Sequence, residues 1–120
     1  MRIRKHRAWH NRSKEMLYGP SSSVFQWVEE GQPVEVMDFT GLADKNRVEI
    51  YEGDILRYSA DGYKFENGDV VFSDGCFKVR CTFLHYLNST VAPLFEVIGN
   101  IYRTPSLLTY LPQHTKSLLR

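Results

Sequence analysis

Residues 69–80 read DVVFSDGCFKVR, two apolar runs on either side of the dipeptide Asp74-Gly75. A type I′ turn needs positive φ at both central residues, which aspartate and glycine tolerate. Centring the turn there places four pairs of residues opposite one another: Phe72 with Phe77, Val70 with Val79, Val71 with Lys78, and Asp69 with Arg80. The first two pairs form an apolar face and the last two a polar face. We therefore predict a half-buried hairpin in which Asp74 and Gly75 have structural roles.

Segments of strand composition flank this hairpin on both sides. The pattern predicts, in chain order, a hairpin within residues 2–18, strands at 24–28 and 34–39, and a returning strand at 94–102. Residues 82–93 fit either a helical turn or an extended segment. Thr104 followed by Pro105 is typical of a helix start, so we expect a short helix over residues 105–111.

These segments together predict a mainly β protein. After Gly53 and Asp54 open a short strand, the chain continues through an irregular loop, the tight hairpin and the returning strand. This order is similar to that of a small SH3-like barrel, which we place at about residues 48–103, with an N-terminal β part at residues 1–41. An α+β fold is the alternative. The expected boundaries are one domain over residues 1–112 and a loose tail over residues 113–120.

The composition is that of a soluble globular protein. Hydrophobic residues make up 42% and aromatic residues 13%, which excludes a disordered chain. No apolar run approaches the ~20 residues that a spanning helix needs, and the charged N-terminus lacks the apolar core of a signal peptide. Cys76 and Cys81 lie five residues apart and face opposite sides of one predicted strand, so we predict neither a disulfide nor a zinc site. We expect no membrane association and a cytoplasmic protein.

The net charge of +1 conceals an uneven distribution along the chain. Residues 1–15 hold six basic residues against Glu15 alone, and residues 116–120 add two more, which leaves −6 on the remainder. The candidate contact residues at this basic edge, with one aromatic for base stacking, are Arg2, Arg4, Lys5, Arg7, Trp9, Arg12 and Lys14. This edge predicts contact with nucleic-acid phosphates or, alternatively, with acidic surface on the chain's own body or on a sister subunit.

The sequence carries no recognisable catalytic motif. The spacing of His6 and His10 suits a metal only on a helix, and their segment has strand composition. One acidic stretch could hold Mg²⁺ in a nuclease, although such residues more often cap turns: Asp38, Asp44, Glu49, Glu52 and Asp54. We therefore predict no metal site, no cofactor and no enzyme activity, and a metal-dependent nuclease remains the third hypothesis.

Three sequence motifs are distributed over nearly the whole chain. They are Arg7-Ala8-Trp9 followed by Met16 and Tyr18, then FTGL at 39–42 with DKN at 44–46 and EIYEGDI at 49–55, and finally EVIGNIY at 96–102. Together they resemble the YopX family of phage and prophage proteins, and Arg47 departs from a pattern that often has glycine there. The resemblance implies a phage-encoded protein in the bacterial host cytoplasm, and it implies no known activity, because the function of the family is unknown. The positions that we interpret as structural are Gly41, Gly53, Asp54, Gly99 and Asn100.

We expect this protein to act through protein–protein contact rather than catalysis. Its aromatic residues exceed the needs of a small core and suit a subdomain seam or a subunit interface: Trp9, Trp27, Tyr51, Tyr63 and Tyr86. The expected partner is a second copy of the chain, in a homo-oligomer, or another phage or host protein. A nucleic-acid-binding β-barrel that uses the basic N-terminal strand is the alternative.

Overall fold

The computed structural model describes residues 5–58, 67–81 and 84–108. Within them the elements are β1 (His6–His10), β2 (Glu15–Gly19), α1 (Ser21–Glu29), β3 (Val34–Ala43), β4 (Glu49–Tyr51), β5 (Asp54–Tyr58), β6 (Gly68–Ser73), β7 (Cys76–Arg80), β8 (Leu84–Tyr86), a 3-10 turn (Ala92–Leu94), β9 (Phe95–Asn100) and a second 3-10 turn (Pro105–Leu107). The predicted mainly β class is confirmed. None of the described helices is long and apolar enough to cross a membrane.

The first sheet has four antiparallel strands in the order β2-β1-β3-β4. Its β1–β2 hairpin confirms the one predicted within residues 2–18, with Trp9 opposite Met16. β3 is longer than the predicted strand at 34–39 because it pairs first with β1 and then with β4. The pairing with β4 is irregular past Phe39, where Gly41 has a positive φ.

The strand predicted at residues 24–28 is wrong, because Ser21–Glu29 form helix α1. The β-branched and aromatic composition of the segment favours a strand when it is considered alone. Val24 and Trp27 are nevertheless three residues apart, which places them on one helix face. Val24 is fully buried where α1 packs on β1, β2 and β3, so tertiary packing outweighs local propensity here.

The second sheet has five antiparallel strands in the order β8-β7-β6-β5-β9 and curves into half of a barrel. It lies within residues 48–103, where the sequence predicts the small barrel. The main hydrophobic core packs against it and comprises Ile50, Leu56, Val70, Val79, Leu87, Ala92 and Phe95. Ile50 belongs to β4, so the first sheet also contributes to this core.

The β6–β7 hairpin has the predicted register, with all four predicted pairs opposite one another. Its turn has the expected left-handed backbone, since φ is 53° at Asp74 and 79° at Gly75. The predicted division into one buried and one exposed face is wrong. Phe72 is 51% exposed, whereas Lys78, on the predicted polar face, is only 8% exposed.

Contacts around the two side chains explain both departures. Phe72 lies next to the turn, past the buried pair Val70 and Val79. Its ring packs edge-on against Phe77, with 5.0 Å between ring centroids. Lys78 lies opposite Tyr86 of β8, with its ammonium 5.5 Å from the ring centroid and 3.4 Å from a carboxylate oxygen of Asp74. Lysine can bury its aliphatic stem while its charge stays partnered in this way. The burial of Lys78 by β8 was not predicted, because β8 lies within residues 82–93, where the sequence fits either a helical turn or an extended segment.

Replacing Gly75 with valine should lower the free energy of unfolding by about 1–3 kcal/mol. A β-branched residue adopts the φ of 79° only with strain. No described atom lies within 4 Å of a Cβ built at Gly75, so the loss of stability would come from backbone strain and not from a steric clash. Urea denaturation measures it, with Gly75→Asn as the matched control, because asparagine tolerates positive φ. Equal losses for the two variants would contradict this account of the turn.

The C-terminal helix predicted over residues 105–111 is wrong as far as the structure describes it. Pro105–Leu107 form a 3-10 turn, and Leu108 is already extended. The Thr104 hydroxyl does not cap a helix, because it accepts a hydrogen bond from the Asn100 N–H at 3.1 Å instead. Residues 109–111 and the predicted tail at 113–120 lie outside the described residues.

Candidate functional site

Arg7 joins the two sheets through a buried ion pair. Its guanidinium, on β1, lies 2.8 Å from a carboxylate oxygen of Asp54 on β5, and both side chains are almost fully buried. The guanidinium also lies 4.7 Å from the ring centroid of Tyr51, whose N–H donates to the other Asp54 oxygen at 2.8 Å. Burial raises the pKa of Asp54, and the charge of Arg7 opposes that rise. The pair therefore holds the sheets together and is closed to a partner.

Trp9 also lies between the two sheets rather than at the surface. It is 4% exposed and stacks on Tyr102 with 5.7 Å between ring centroids. The guanidinium of Arg103 lies 5.4 Å from the centre of its ring. Trp9 and Arg7 therefore cannot contact a nucleic acid unless the two sheets separate.

The other basic residues predicted as contacts fall into three groups. Lys5 pairs with Glu49 of β4. Arg12 and Lys14 are exposed in the β1–β2 turn, while Arg2 and Arg4 lie outside the described residues. The basic edge is thus partly neutralised by acidic groups of the chain's own body, which is one of the alternatives left open by the sequence.

The acidic residues considered for metal binding are used by the fold. Asp44 is buried and accepts the N–H groups of Asn46, Val48 and Val97 at 2.8, 2.9 and 2.9 Å, which ties the β3–β4 turn to β9. Two others are in ion pairs, Glu49 with Lys5 and Asp54 with Arg7, and a carboxylate oxygen of Asp38 lies 3.0 Å from the Nε2 atom of His6. Within the described ranges, no three His, Cys, Asp or Glu side chains are grouped so that they could hold a metal ion.

Gly99 and Asn100 shape the turn after β9. A Cβ at Gly99 would lie 2.0 Å from the Thr104 hydroxyl oxygen and 2.9 Å from a methyl carbon of Leu107, so the close approach requires glycine. The Asn100 side-chain oxygen accepts two main-chain N–H groups of the turn at 3.0 and 2.8 Å. This turn positions Tyr102 at the seam between the two sheets.

Two further turns have left-handed backbone. At Gly53 φ is 88°, where the chain passes from β4 in one sheet to β5 in the other. At Arg47 φ is 65°, and this is the position where the resembled pattern often has glycine. Arg47 therefore adopts the left-handed backbone that the turn requires. Its Cβ makes this conformation modestly unfavourable in free energy.

A cleft of about 520 Å³ opens between the two sheets, and we call it the inter-sheet cleft. Met37 of β3, Val70 of β6 and Ile101 are buried and give it an apolar inner lining. Phe72 and Leu84, which are 51% and 55% exposed, also line it. Its polar lining comes from Glu52, Asp69, Ser73, Arg80 and Tyr102. Because these residues are far apart in the sequence and meet only in the fold, no local pattern indicates this site.

The polar groups of the inter-sheet cleft differ in their partners and in the effect of burial on their pKa values. Asp69 and Arg80 form a two-point ion pair, with N–O distances of 3.2 and 2.7 Å, and neutralise each other. Burial raises the pKa of Glu52, which lies in no ion pair of the described residues. Burial, with the charges of Glu35 and Glu52, raises the pKa of Tyr102 to about 12, so its hydroxyl stays protonated at neutral pH.

Known proteins resemble this chain in both sequence and fold. The family model described as YopX protein matches residues 20–109. Among solved structures, the crystal structure of protein EF1440 from Enterococcus faecalis is similar, with 29% sequence identity, a TM-score of 0.62, and coverage of 90% of this chain and 99% of that one. No curated protein matches the chain. Because the family model matches most of the 120 residues, the chain belongs to the YopX family.

Proposed function

We propose that this protein is a non-enzymatic protein–protein interaction module whose partner occupies the inter-sheet cleft. The observation that carries the proposal is an open cleft with a buried apolar lining and two large, exposed apolar side chains, Phe72 and Leu84. Exposed aromatic and aliphatic groups around a cavity are typical of the anchoring points of protein interfaces. The neighbouring polar groups add hydrogen-bonding sites for a partner.

The proposed setting rests on what the resemblance to the YopX family implies. The protein is an accessory protein encoded by a phage or prophage and made in the bacterial host cytoplasm. Its partner is a second copy of the chain, in a homo-oligomer, or another phage or host protein.

Contact with protein is favoured over contact with nucleic acid by the burial of two of the expected contact residues. Arg7 and Trp9 lie between the sheets, and Lys5 is paired with Glu49. Arg12 and Lys14 leave two exposed basic residues in one turn, whereas nucleic-acid sites combine several phosphate contacts with accessible stacking surfaces.

Selection from a displayed library of random peptides tests the proposed function. Wild-type protein should enrich binders, and the Phe72→Asp/Leu84→Asp double variant should bind them at least tenfold more weakly, because charge replaces exposed apolar anchors. Val48→Asp is the matched control, since it adds a charge at a valine that is 47% exposed and does not line the cleft.

Light scattering at micromolar concentration tests whether the partner is a second copy of the chain. If the wild type is heavier than the 14.0 kDa monomer and the double variant is a monomer, the cleft is also supported as the contact site. A monomer that enriches no peptide, or binders that respond equally to the double variant and to Val48→Asp, would contradict the proposed function.

A further inference from the structure

We propose that the inter-sheet cleft binds an extended, basic segment of a partner protein, which adds as a strand to the open edge of β6. The inference rests on the proposed function and deepens it by naming the conformation and charge of the segment. Its basis is a pair of strand edges that face the cleft and have no pairing strand among the described residues, together with two nearby carboxylates that are in no ion pair of the described chain.

The edge of β6 is open because the chain leaves this sheet at Gly53. The Gly53 N–H donates to the Val70 carbonyl at 2.8 Å, and β5 pairs with β6 only on the N-terminal side of that point. Alternate residues of an antiparallel strand direct their N–H and C=O groups to opposite edges. Since Val70 directs its carbonyl away from β7, Phe72 directs its main-chain groups the same way. In the described part of the chain, no strand pairs with Phe72 on that edge.

The edge of β3 across the cleft has the same character. The Asp38 carbonyl accepts the Glu52 N–H at 2.9 Å, so Asp38 directs its main chain away from β1. By the same alternation, Val36 directs its N–H and C=O groups towards the side on which β4 would continue. β4 ends at Tyr51, so the described chain leaves Val36 unpaired on that side. Val36 and Phe72 both line the inter-sheet cleft.

β6 contributes more of the cleft surface than β3 does. Five consecutive residues, from Asp69 to Ser73, line the cleft, and among them Phe72 directs its N–H and C=O groups to the open edge, whereas β3 contributes only Val36 and Met37. An edge strand with free main-chain groups is the feature that β-strand addition uses, with pockets for alternate side chains providing specificity. The apolar lining formed by Met37 and Ile101 would accept apolar side chains at every second position of the segment.

The charge beside the cleft favours a basic segment. Glu52 lines the cleft and Glu35 lies close enough for both charges to act on Tyr102. Neither carboxylate is in an ion pair with a described basic side chain. The charges of Asp69 and Arg80 cancel each other. Lysine or arginine at the positions that alternate with the apolar ones would therefore find a negative rim.

The test uses blocked heptapeptides with lysine at four alternate positions and valine, leucine or phenylalanine at the three positions between them. At least one should bind the full chain, and its glutamate counterpart should bind at least tenfold more weakly. Binding should protect the Phe72 amide from hydrogen exchange at least tenfold, because a new hydrogen bond forms there. The Val71 amide, which faces β7, is the internal control and should not change.

Two sets of variants separate strand addition from other binding modes. N-methylation of one alternate set of peptide amides should abolish binding, and methylation of the other set should leave it within about twofold, because an added strand uses one edge. Glu52→Gln should weaken binding about three- to tenfold, whereas Glu15→Gln, at an exposed carboxylate of β2 outside the cleft, should not.

Several results would overturn the inference. They are failure of all three basic peptides, equal effects of the two methylation patterns, or binding without protection of Phe72. If library selection nevertheless yields helical or acidic peptides that the Phe72→Asp/Leu84→Asp variant rejects, the proposed function stands and the strand addition falls.

Discussion

Replacing Arg7 with methionine should lower the free energy of unfolding by about 3–5 kcal/mol. The substitution removes the only ion-pair partner that Asp54 has among the described residues and leaves a buried carboxylate between the two sheets. It also removes the cation over the Tyr51 ring and the hydrogen bond to the Glu52 carbonyl at 3.2 Å. Urea denaturation followed by circular dichroism measures the loss.

The contrast with neighbouring charges makes this prediction specific. The double variant Arg7→Met/Asp54→Asn should be more stable than Arg7→Met alone, because it removes the uncompensated charge and leaves an amide oxygen that can accept the Tyr51 N–H. Lys5→Met, which breaks the exposed pair with Glu49, is the matched control and should leave the unfolding midpoint unchanged. If Arg7→Met resembled Lys5→Met, the inter-sheet pair would have no part in holding the sheets together.

The features that sequence reasoning predicted correctly are local ones. The β6–β7 register follows from Asp74-Gly75 and the residues within five positions of it. The β1–β2 hairpin likewise depends on neighbouring residues. In such elements the turn geometry and the alternation of side chains act on residues that are close in the chain, so a single sequence contains the necessary information.

The features that it missed depend on contacts between distant residues. Helix α1 forms because Val24 is buried against the first sheet, and the β-branched and aromatic composition of residues 21–29 does not reveal that contact. Lys78 is buried because β8 covers it. The inter-sheet cleft combines residues from β3, β6 and the end of the second sheet, and its open edges exist because the chain changes sheets at Gly53. Arg7 and Trp9 looked like surface contacts because their burying partners, Asp54 and Tyr102, lie 47 and 93 positions away.

Truncating Trp9 to alanine should lower the free energy of unfolding by about 3–5 kcal/mol. The indole is 4% exposed and stacks on Tyr102 across the seam between the sheets, so its removal leaves a cavity where the two sheets meet. Thermal and urea unfolding, followed by tryptophan fluorescence, which in the variant comes from Trp27 alone, and by far-ultraviolet circular dichroism, would measure the loss. Tyr86→Ala is the matched control, since that aromatic is 69% exposed and should cost about 1 kcal/mol or less.

The shape of the Trp9→Ala transition carries further information. Trp27 lies on α1, which packs on the first sheet, whereas circular dichroism reports both sheets. If the seam couples the sheets into one cooperative unit, the two signals should coincide in the wild type and separate in the variant, because weaker coupling lets the sheets unfold independently. An aromatic that served at the surface as a nucleic-acid stacking residue would give neither result. A Trp9→Ala protein as stable as Tyr86→Ala would therefore place Trp9 at the surface and restore the basic N-terminal strand as a candidate contact site.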